Sequence, residues 1–313
     1  MSAELVIETK DITKAYNGKV VVDKLNLRIG KGEIFGFLGP NGAGKTTTIL
    51  MLLGLTQPTS GVAHVNGFNS TRDPLNVKRV TGYIPERLGF YEDLTASYNL
   101  AYTARLNGLP EVLVKKRVSE SLEVVGLLQA AEQKVGQFSK GMKQRLGIAD
   151  ILIKEPKVAI LDEPTSGIDP KGINELLDLI NKIAKEQNMT VILCSHQLEQ
   201  VQRICTRVGI MQKGLMVVEG KLDELGKDLL GGGQFRIEVK LTEITKDIVD
   251  NISKTNGVIS VERVNDSLII NCAEDLRPQI SKTIMDSNGL LVQMNMLSYA
   301  LEDIYMKYFS EGQ

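Results

Sequence analysis

A glycine-rich stretch near the start of the chain combines residue types that bind phosphate. Residues 39–47 read Gly-Pro-Asn-Gly-Ala-Gly-Lys-Thr-Thr and fit the pattern G-x-x-x-x-G-K-[ST]. In such a loop, backbone N–H groups and the positive end of a helix dipole converge on an anion. Lys45 can reach the β- and γ-phosphates, and the Thr46 hydroxyl can ligate Mg²⁺. The stretch therefore predicts a site for a nucleoside triphosphate.

Two further groups of polar side chains follow apolar, strand-like runs. Asp162 and Glu163 end the run that begins at Lys157, and His196 follows the run 190–194. The carboxyl edge of an open α/β sheet is where ligands bind. Asp162 can hold Mg²⁺ there directly or through water, Glu163 can orient or deprotonate an attacking water, and His196 can hydrogen-bond a γ-phosphate.

A second candidate anion site begins at Ser139, which is a good N-cap residue. Behind it, Met142, Leu146, Ala149 and Ile153 recur on one helical face. A polar loop at a helix N-terminus can bind an anion, and the alternative is a helix with an ordinary cap.

The elements that must position these groups alternate between strands and helices. Glu33–Leu38 has strand length and Thr47–Leu53 reads as a helix, so the glycine loop joins the two. Short β-rich pieces precede this unit in residues 5–30, and helical spacing dominates from Thr95 to about Ile153. The pattern predicts an α/β fold: a P-loop core with an antiparallel β subdomain and a helical insertion at about residues 87–153.

The tail predicts a separate module. Gly231–Gly233 is a candidate linker, and the order βαββαβ that follows resembles a ferredoxin-like α+β domain. We therefore expect one domain at residues 1–230, which contains the predicted nucleotide site, and an accessory domain at 231–313. A short helix at Leu222–Leu230 and a last helix at Tyr299–Phe309 are also predicted.

Composition excludes several classes of protein. The 313 residues are 42% hydrophobic and 24% charged, with a formal net charge of −1, which gives no electrostatic reason to expect nucleic acid. No apolar run approaches the roughly 18 residues that span a bilayer, and no signal peptide is expected. Three scattered cysteines suit a reducing cytosol.

Taken together and in order, residues 39–47, Ser139–Gly141, Leu161–Glu163 and His196 resemble the ATP-binding subunit of an ABC transporter. The resemblance covers about residues 5–225 and is closest to the drug, antibiotic or sodium efflux branch. It implies an ATPase that uses ATP and Mg²⁺.

The resemblance implies a role for each motif. Nucleotide contacts would come from Tyr16, Gly39, Pro40, Asn41, Gly42, Ala43, Gly44, Lys45, Thr46 and Thr47. Tyr16 would stack on adenine, although its residue type and place alone favour a strand residue half buried in a sheet.

Other residues would complete the reaction centre. Lys45, Glu163 and His196 would be catalytic. Ser139, Lys140 and Gly141 would form the signature loop, which contacts the ATP of a partner subunit, and Asp169 would belong to the D-loop. Mg²⁺ would be held by Thr46, Asp162 and Glu86.

Two motifs depart from the family pattern. Glu86 stands where glutamine is usual, and it adds negative charge beside ATP. Phe138, Lys140 and Met142 replace three residues of the common signature Leu-Ser-Gly-Gly-Gln, whereas Ser139 and Gly141, which contact phosphate in the family, remain.

The resemblance also implies partners and a place in the cell. Two copies would sandwich two ATP molecules head to tail, and a separate transmembrane permease would meet the region from Glu86 to about Leu109. The subunit would lie on the cytoplasmic face of the membrane or, when unassembled, in the cytoplasm. One alternative is a soluble ABC ATPase that acts on ribosomes or DNA, and another gives the tail a ligand-sensing role.

Overall fold

The computed structural model describes most of the chain, namely residues 4–222, 224–225, 235–297, 301–302 and 305. The chain divides into two compact units, residues 1–220 and 221–313. The predicted last helix, the helix at Leu222–Leu230 and the linker at Gly231–Gly233 fall mostly or wholly outside the described residues. Within the described part, no helix combines the length and apolar character that crossing a bilayer requires.

Ten strands between Leu5 and Lys221 form two sheets. In chain order they are β1 (Leu5–Tyr16), β2 (Lys19–Gly30), β3 (Ile34–Leu38), β4 (Ser60–Val65), β5 (Phe68–Asn69), β6 (Thr81–Ile84), β7 (Val158–Asp162), β8 (Thr190–Ser195), β9 (Arg207–Gln212) and β10 (Leu215–Lys221). The helices are α1 (Lys45–Leu52), α2 (Pro74–Val80), α3 (Ala96–Leu106), α4 (Glu111–Val124), α5 (Lys140–Leu152), α6 (Pro170–Glu186) and α7 (Leu198–Ile204).

The six-stranded sheet positions the site, and its strand order is β10-β9-β3-β8-β7-β6. Strand β3 pairs in parallel with β8 and β9, and β7 pairs in parallel with β6 and β8. Every residue of β3, β7 and β8 is buried, as expected for parallel strands covered on both faces. Because these strands are parallel, their carboxyl ends meet at one edge of the sheet.

The antiparallel sheet has the order β2-β1-β4-β5. The short pieces expected in residues 5–30 are in fact two continuous strands of 12 residues each. Register shifts at Thr9/Ile12 and Ile12/Lys14 keep the strands paired where the apolar alternation is interrupted. Asp11 lies at one of these irregularities with a φ of 47°.

Helix α2 is an element that the sequence pattern did not predict, and it ends at Val80, directly before β6. With seven residues the helix is too short to show a periodic apolar face. Pro74 at its first position fits, because the fixed φ of proline suits a helix start.

The helical insertion consists of α3, α4 and α5, as the spacing in residues 95–153 indicated. The Thr95 hydroxyl caps α3 by accepting from the N–H of Tyr98 at 3.2 Å. The three helices pack through buried apolar side chains, among them Leu100, Leu122 and Leu146.

The second unit, described by itself, contains β11 (Phe235–Leu241), α8 (Lys246–Ser253), β12 (Val258–Val264), β13 (Ser267–Cys272), α9 (Arg277–Asp286) and β14 (Leu291–Leu297). Its antiparallel sheet has the order β12-β13-β11-β14. Side chains from β11, β13 and both helices form its core.

Candidate functional site

The glycine loop adopts a conformation that depends on its glycines. Gly39, Gly42 and Gly44 have φ values of 147°, 80° and 109°, in a region that L-residues rarely occupy. A Cβ on Gly44 would lie 2.8 Å from the Val21 carbonyl oxygen, and one on Gly39 would collide with the carbonyl of Met211. The loop therefore passes close to two other backbone segments.

Helix α1 begins at the end of this loop, and no side chain caps its first backbone N–H groups. Gly44 is its N-cap and offers no side-chain hydrogen bond, and the first turn contains no acidic residue. The first N–H groups of a helix have no partner within it, so they are available to an anion in front of the loop.

Lys45 is held over the loop by backbone carbonyl groups. Its side chain is buried, and Nζ donates to the carbonyl oxygens of Gly39 at 2.6 Å and Pro40 at 3.1 Å. These contacts partly compensate the desolvation of the ammonium group and place its charge beside the N-terminus of α1. The arrangement can attract a phosphate group.

Asp162 meets the glycine loop although 116 residues separate the two in sequence. Thr46 Oγ1 donates to Asp162 Oδ2 at 3.4 Å, and Asp162 is only 5% exposed. Burial and then the charge of Glu163 raise the pKa of the Asp162 carboxyl, Glu86 raises it further, and Thr46 and Lys45 oppose the rise. The site thus accumulates negative charge that a divalent cation would neutralise.

Glu163 and His196 form a hydrogen-bonded pair. Glu163 Oε1 accepts from the His196 N–H at 3.0 Å and lies 2.8 Å from His196 Nδ1. Ser195 Oγ donates to Glu163 Oε2 at 3.4 Å. Because Nδ1 is engaged, Nε2 is the ring nitrogen that remains for another ligand.

The backbone at Glu163 is unusual. Its φ is 50°, in the left-handed region that non-glycine residues seldom adopt. The Glu163 N–H donates to the Cys194 carbonyl at 2.9 Å, so the turn after β7 is tied to the end of β8. This turn places the carboxylate against Ser195 and His196 rather than along the strand direction.

Sequence reasoning missed several residues that support the site. Burial, followed by the charge of Asp162, raises the pKa of Tyr83 to about 12, so this phenol stays protonated behind the carboxylates. Thr165 Oγ1 donates to Gln200, and Gln200 in turn bonds to Gln197, next to His196. No local motif marks these residues, since their partners come from other elements.

The loop at Ser139 lies beside the loop that contains Asp169. Ser139 accepts from the N–H of Met142 at 3.3 Å and caps α5, and Asp169 accepts from that of Gly172 at 3.2 Å and caps α6. Both line one cleft of about 680 Å³, together with Lys140 and Gly141. Among the described residues, no hydrogen bond joins this surface to residues 39–47.

Tyr16 and Glu86 lie at the margin of the site. The Tyr16 ring is 46% exposed at the end of β1, and Lys14 Nζ lies 4.9 Å from its centroid. The ring is therefore not part of the core. Glu86 is exposed just after β6, and its influence on the pKa of Asp162 shows that it acts on the same centre.

Comparison with known proteins adds independent observations. The family model described as "ABC transporter" matches residues 22–166. The bacitracin transport ATP-binding protein BcrA of Bacillus licheniformis is 38% identical over 98% of this chain and 98% of its own length. The linearmycin resistance ATP-binding protein LnrL of Bacillus subtilis (strain 168) is 39% identical over 77% of this chain and 76% of its own.

Solved structures show the same fold. An ATP-binding subunit of an ABC transporter superposes with a TM-score of 0.64 at 32% identity, covering 71% of this chain and 92% of that one. A dimeric ATP-binding cassette, MJ0796, in a post-hydrolysis state bound to ADP and Pi, has a TM-score of 0.63 at 25% identity. This superposition covers 69% of this chain and 98% of the cassette.

Proposed function

Because this chain belongs to the family of ABC transporter ATP-binding subunits, we propose that ATP is hydrolysed at the edge formed by the glycine loop, Asp162, Glu163 and His196. The chain is an ATP-binding subunit of an ABC transporter and an ATPase, with a P-loop core of mixed α/β sheets. The observation that carries the site assignment is the contact of Asp162 with Thr46 beside the Glu163–His196 pair.

The glycine loop would bind the phosphates of ATP. The N–H groups at the start of α1 and the buried Lys45 supply positive charge, and the proposed contacts run from Gly39 through Pro40, Asn41, Gly42, Ala43 and Gly44 to Thr47. An incoming phosphate would replace the two carbonyl oxygens as the partner of Lys45. Tyr16, exposed at the hairpin end, offers an aromatic face on which adenine can stack.

The residues present suit Mg²⁺. Magnesium is usually held by one or two carboxylates together with water and substrate phosphates, and the donors here are the Thr46 hydroxyl and the Asp162 carboxylate. No group of three or more His, Cys, Asp or Glu side chains in the described part could hold a metal by itself, in keeping with a cation that arrives with ATP. When bound, the cation would neutralise charge on the transferred phosphoryl group.

Glu163 would orient the attacking water, and His196 would contact the γ-phosphate. A ring protonated at both nitrogens could donate to Glu163 through Nδ1 and to phosphate through Nε2. Phosphoryl transfer to water depends mainly on positioning and charge stabilisation, which this fixed pair can provide.

A second copy of the chain would complete the site. The Ser139–Gly141 surface lies at the N-terminus of α5. The described structure shows no hydrogen bond from this surface to the glycine loop of the same chain. The dimeric state of the cassette MJ0796 supports an arrangement in which this surface and Asp169 close over ATP held by the partner copy. ATP would then favour the closed dimer, and hydrolysis would release it.

Transport further requires a membrane permease, which would bind near residues 86–109 and hold this subunit at the cytoplasmic face. Relatives named for bacitracin transport and linearmycin resistance support export of antibiotic-like molecules. They do not favour the alternative of an ABC ATPase that acts on ribosomes or DNA.

The second unit would be a ferredoxin-like accessory domain. Its βαββαβ order and its antiparallel sheet β12-β13-β11-β14 support this assignment. Its role would be dimerisation or ligand sensing, and ATPase rates measured with and without residues 231–313 would separate the two.

Substitution of Glu163 tests the function most directly. Glu163→Gln removes the charge that orients water but keeps the size of the side chain, so we expect turnover to fall by about 10²–10⁴-fold while ATP still binds. The variant should accumulate as an ATP-bound dimer in size-exclusion chromatography. Glu186→Gln, on the exposed end of α6, is the matched control and should keep its turnover. Near-normal hydrolysis by Glu163→Gln would remove Glu163 from this role.

A further inference from the structure

The second unit has one sheet edge that carries no charge. In the sheet order β12-β13-β11-β14, β12 and β14 are the two edge strands. Strand β14 reads Leu-Val-Gln-Met-Asn-Met-Leu and contains no charged residue, whereas β12 contains Glu262 and Arg263. Charged side chains are a common means of keeping an edge strand from pairing with another strand. The β12 edge has this protection, and the β14 edge does not.

The backbone of β14 is bonded on one side. The strand pairs with β11 from Leu291, opposite Leu241, to Leu297, opposite Arg236. Among the described residues, no other strand pairs with β14. In an antiparallel ladder, the N–H and C=O groups of alternate residues point away from the neighbouring strand. Those of β14 are therefore available to a further strand.

Apolar side chains near this edge are exposed. Met285 near the end of α9, Leu290 just before β14 and Val292 within it are 63%, 69% and 58% exposed. Met294 and Met296 pack against the core of the unit, yet they are only partly buried. Large apolar side chains that gather at one surface commonly mark an interaction site. A further strand at this edge would extend the sheet and cover part of this apolar surface.

The sequence of β14 is complementary to its own reverse. In an antiparallel pair centred on Met294, apolar residues stand opposite apolar residues and the two amides stand opposite each other. The opposed pairs are Leu291–Leu297, Val292–Met296 and Gln293–Asn295. A pair centred on Gln293 would join only five residues and would place Leu291 opposite Asn295. A strand that matches its own reverse suits the twofold axis of a dimer of identical chains.

We propose that β14 pairs with β14 of a second copy of this chain, so that the two four-stranded sheets become one continuous sheet. The inference deepens the dimerisation role suggested for this unit, and it rests on the proposed function, in which two copies meet around ATP. The contact uses no residue of the ATP site, so it should form with or without nucleotide. Because two strands of seven residues make a small interface, the contact is weak and is best detected by a covalent trap.

The first test measures the register of the pair. Full chains that carry Gln293→Cys are mixed, without nucleotide, with differently tagged full chains that carry Asn295→Cys, and the mixture is oxidised. Cβ atoms of directly opposed residues lie about 4.5–5.5 Å apart, within reach of a disulfide after a small shift. We expect a cross-linked dimer from the mixture and about tenfold less from either variant alone. The native cysteines are buried and should contribute little.

The matched control uses the other edge of the same sheet. Ser260 and Glu262 flank Val261 at the centre of β12, as Gln293 and Asn295 flank Met294. A mixture of Ser260→Cys and Glu262→Cys chains should give only the background yield. Equal yields at the two edges would show random collision and overturn the proposal. Absence of the cross-link between positions 293 and 295 would overturn it as well.

The second test places a charge on the proposed edge. Val292→Lys should lower the yield of the cross-link between positions 293 and 295 about tenfold, because pairing would then desolvate an unpaired ammonium group. Ile259→Lys is its control, since Ile259 lies on β12 and is 52% exposed, close to the value for Val292. Both variants should keep the melting temperature of the parent chain. An unchanged yield in Val292→Lys, or an equal loss in both variants, would overturn the proposal.

The outcomes separate this inference from the proposed function. ATP-trapped dimerisation of the Glu163→Gln variant reports on the ATP site alone. A trapped dimer that shows no cross-link between positions 293 and 295 would overturn the pairing of β14 and leave the ATPase assignment intact. The cross-link without an ATP-trapped dimer would support the pairing and count against the function. A greater yield from Gln293→Cys alone than from the mixture would overturn the pairing centred on Met294.

Discussion

The two faces proposed to enclose ATP are built differently, although each begins at a helix N-terminus. At the glycine loop, Lys45 is buried against two carbonyl groups, and Thr46 bonds to Asp162 from a distant strand. At the Ser139–Gly141 surface, Ser139 and Lys140 are exposed, and the Ser139 hydroxyl only caps its own helix. One face is held by long-range contacts and the other by local ones.

This difference has a thermodynamic consequence. A preorganised face loses little conformational freedom on binding, so we expect the glycine loop to bind ATP in a single chain. In the proposed dimer, the Ser139–Gly141 surface would contribute only after a second copy has docked, when the cost of association has been met. Binding and closure should therefore be separable by substitution.

Among the substitutions that test this difference between the two faces, the largest effect is expected from Lys45→Ala. Removal of the buried ammonium group deletes a charge-assisted contact to phosphate, so ATP affinity of the single chain should fall about a hundredfold. Isothermal titration calorimetry measures this directly. Lys31→Ala is a suitable control, because Lys31 is an exposed lysine paired with Glu4 at 2.9 Å. If affinity were unchanged, the loop would not be the phosphate site.

An intermediate effect is expected from Ser139→Ala, which changes the other face. In the Glu163→Gln background, the ATP-dependent dimer should weaken about tenfold, while ATP affinity of the single chain stays the same. Loss of the cap also costs about 1 kcal/mol of helix stability. Thr245→Ala removes an equivalent cap from α8 and controls for that cost. Equal loss in both variants would show that Ser139 acts only as a cap.

The smallest effect is expected from Glu86→Gln. The substitution removes a negative charge that acts on the same centre as Asp162, so ATP without metal should bind about twofold to threefold more tightly. The gain should shrink at high salt, since Glu86 is exposed. Titrations with EDTA at two ionic strengths would measure it. Weaker binding of Mg²⁺-ATP by the variant would instead identify Glu86 as a metal ligand.

The positions that were predicted well share a common property. The glycine loop and the cap at Ser139 depend on residues close together in the chain, so their types and spacing suffice. Helix α2 and the continuous strands β1 and β2 were missed, because a seven-residue helix shows no clear period and bulges interrupt the strand alternation.

The residues that hold the site in place could not be predicted from the sequence, and the reason is different. The Met211 carbonyl lies against Gly39, and Gln200 bonds to Thr165, yet neither residue belongs to a local pattern. Asp150 likewise looks like one polar residue on an amphipathic helix, and only its surroundings show that one of its oxygens has no partner.

By itself, the sequence determined which groups are proposed to act on ATP: a glycine loop, a carboxylate pair, a histidine and a second helix end, each encoded within a few neighbouring residues. Only the tertiary structure decided which of them meet. Parallel pairing of β3, β8 and β7 brings Thr46 to Asp162 and His196 to Glu163 at one sheet edge. Strand order arises from packing between distant segments, and no local spacing encodes it.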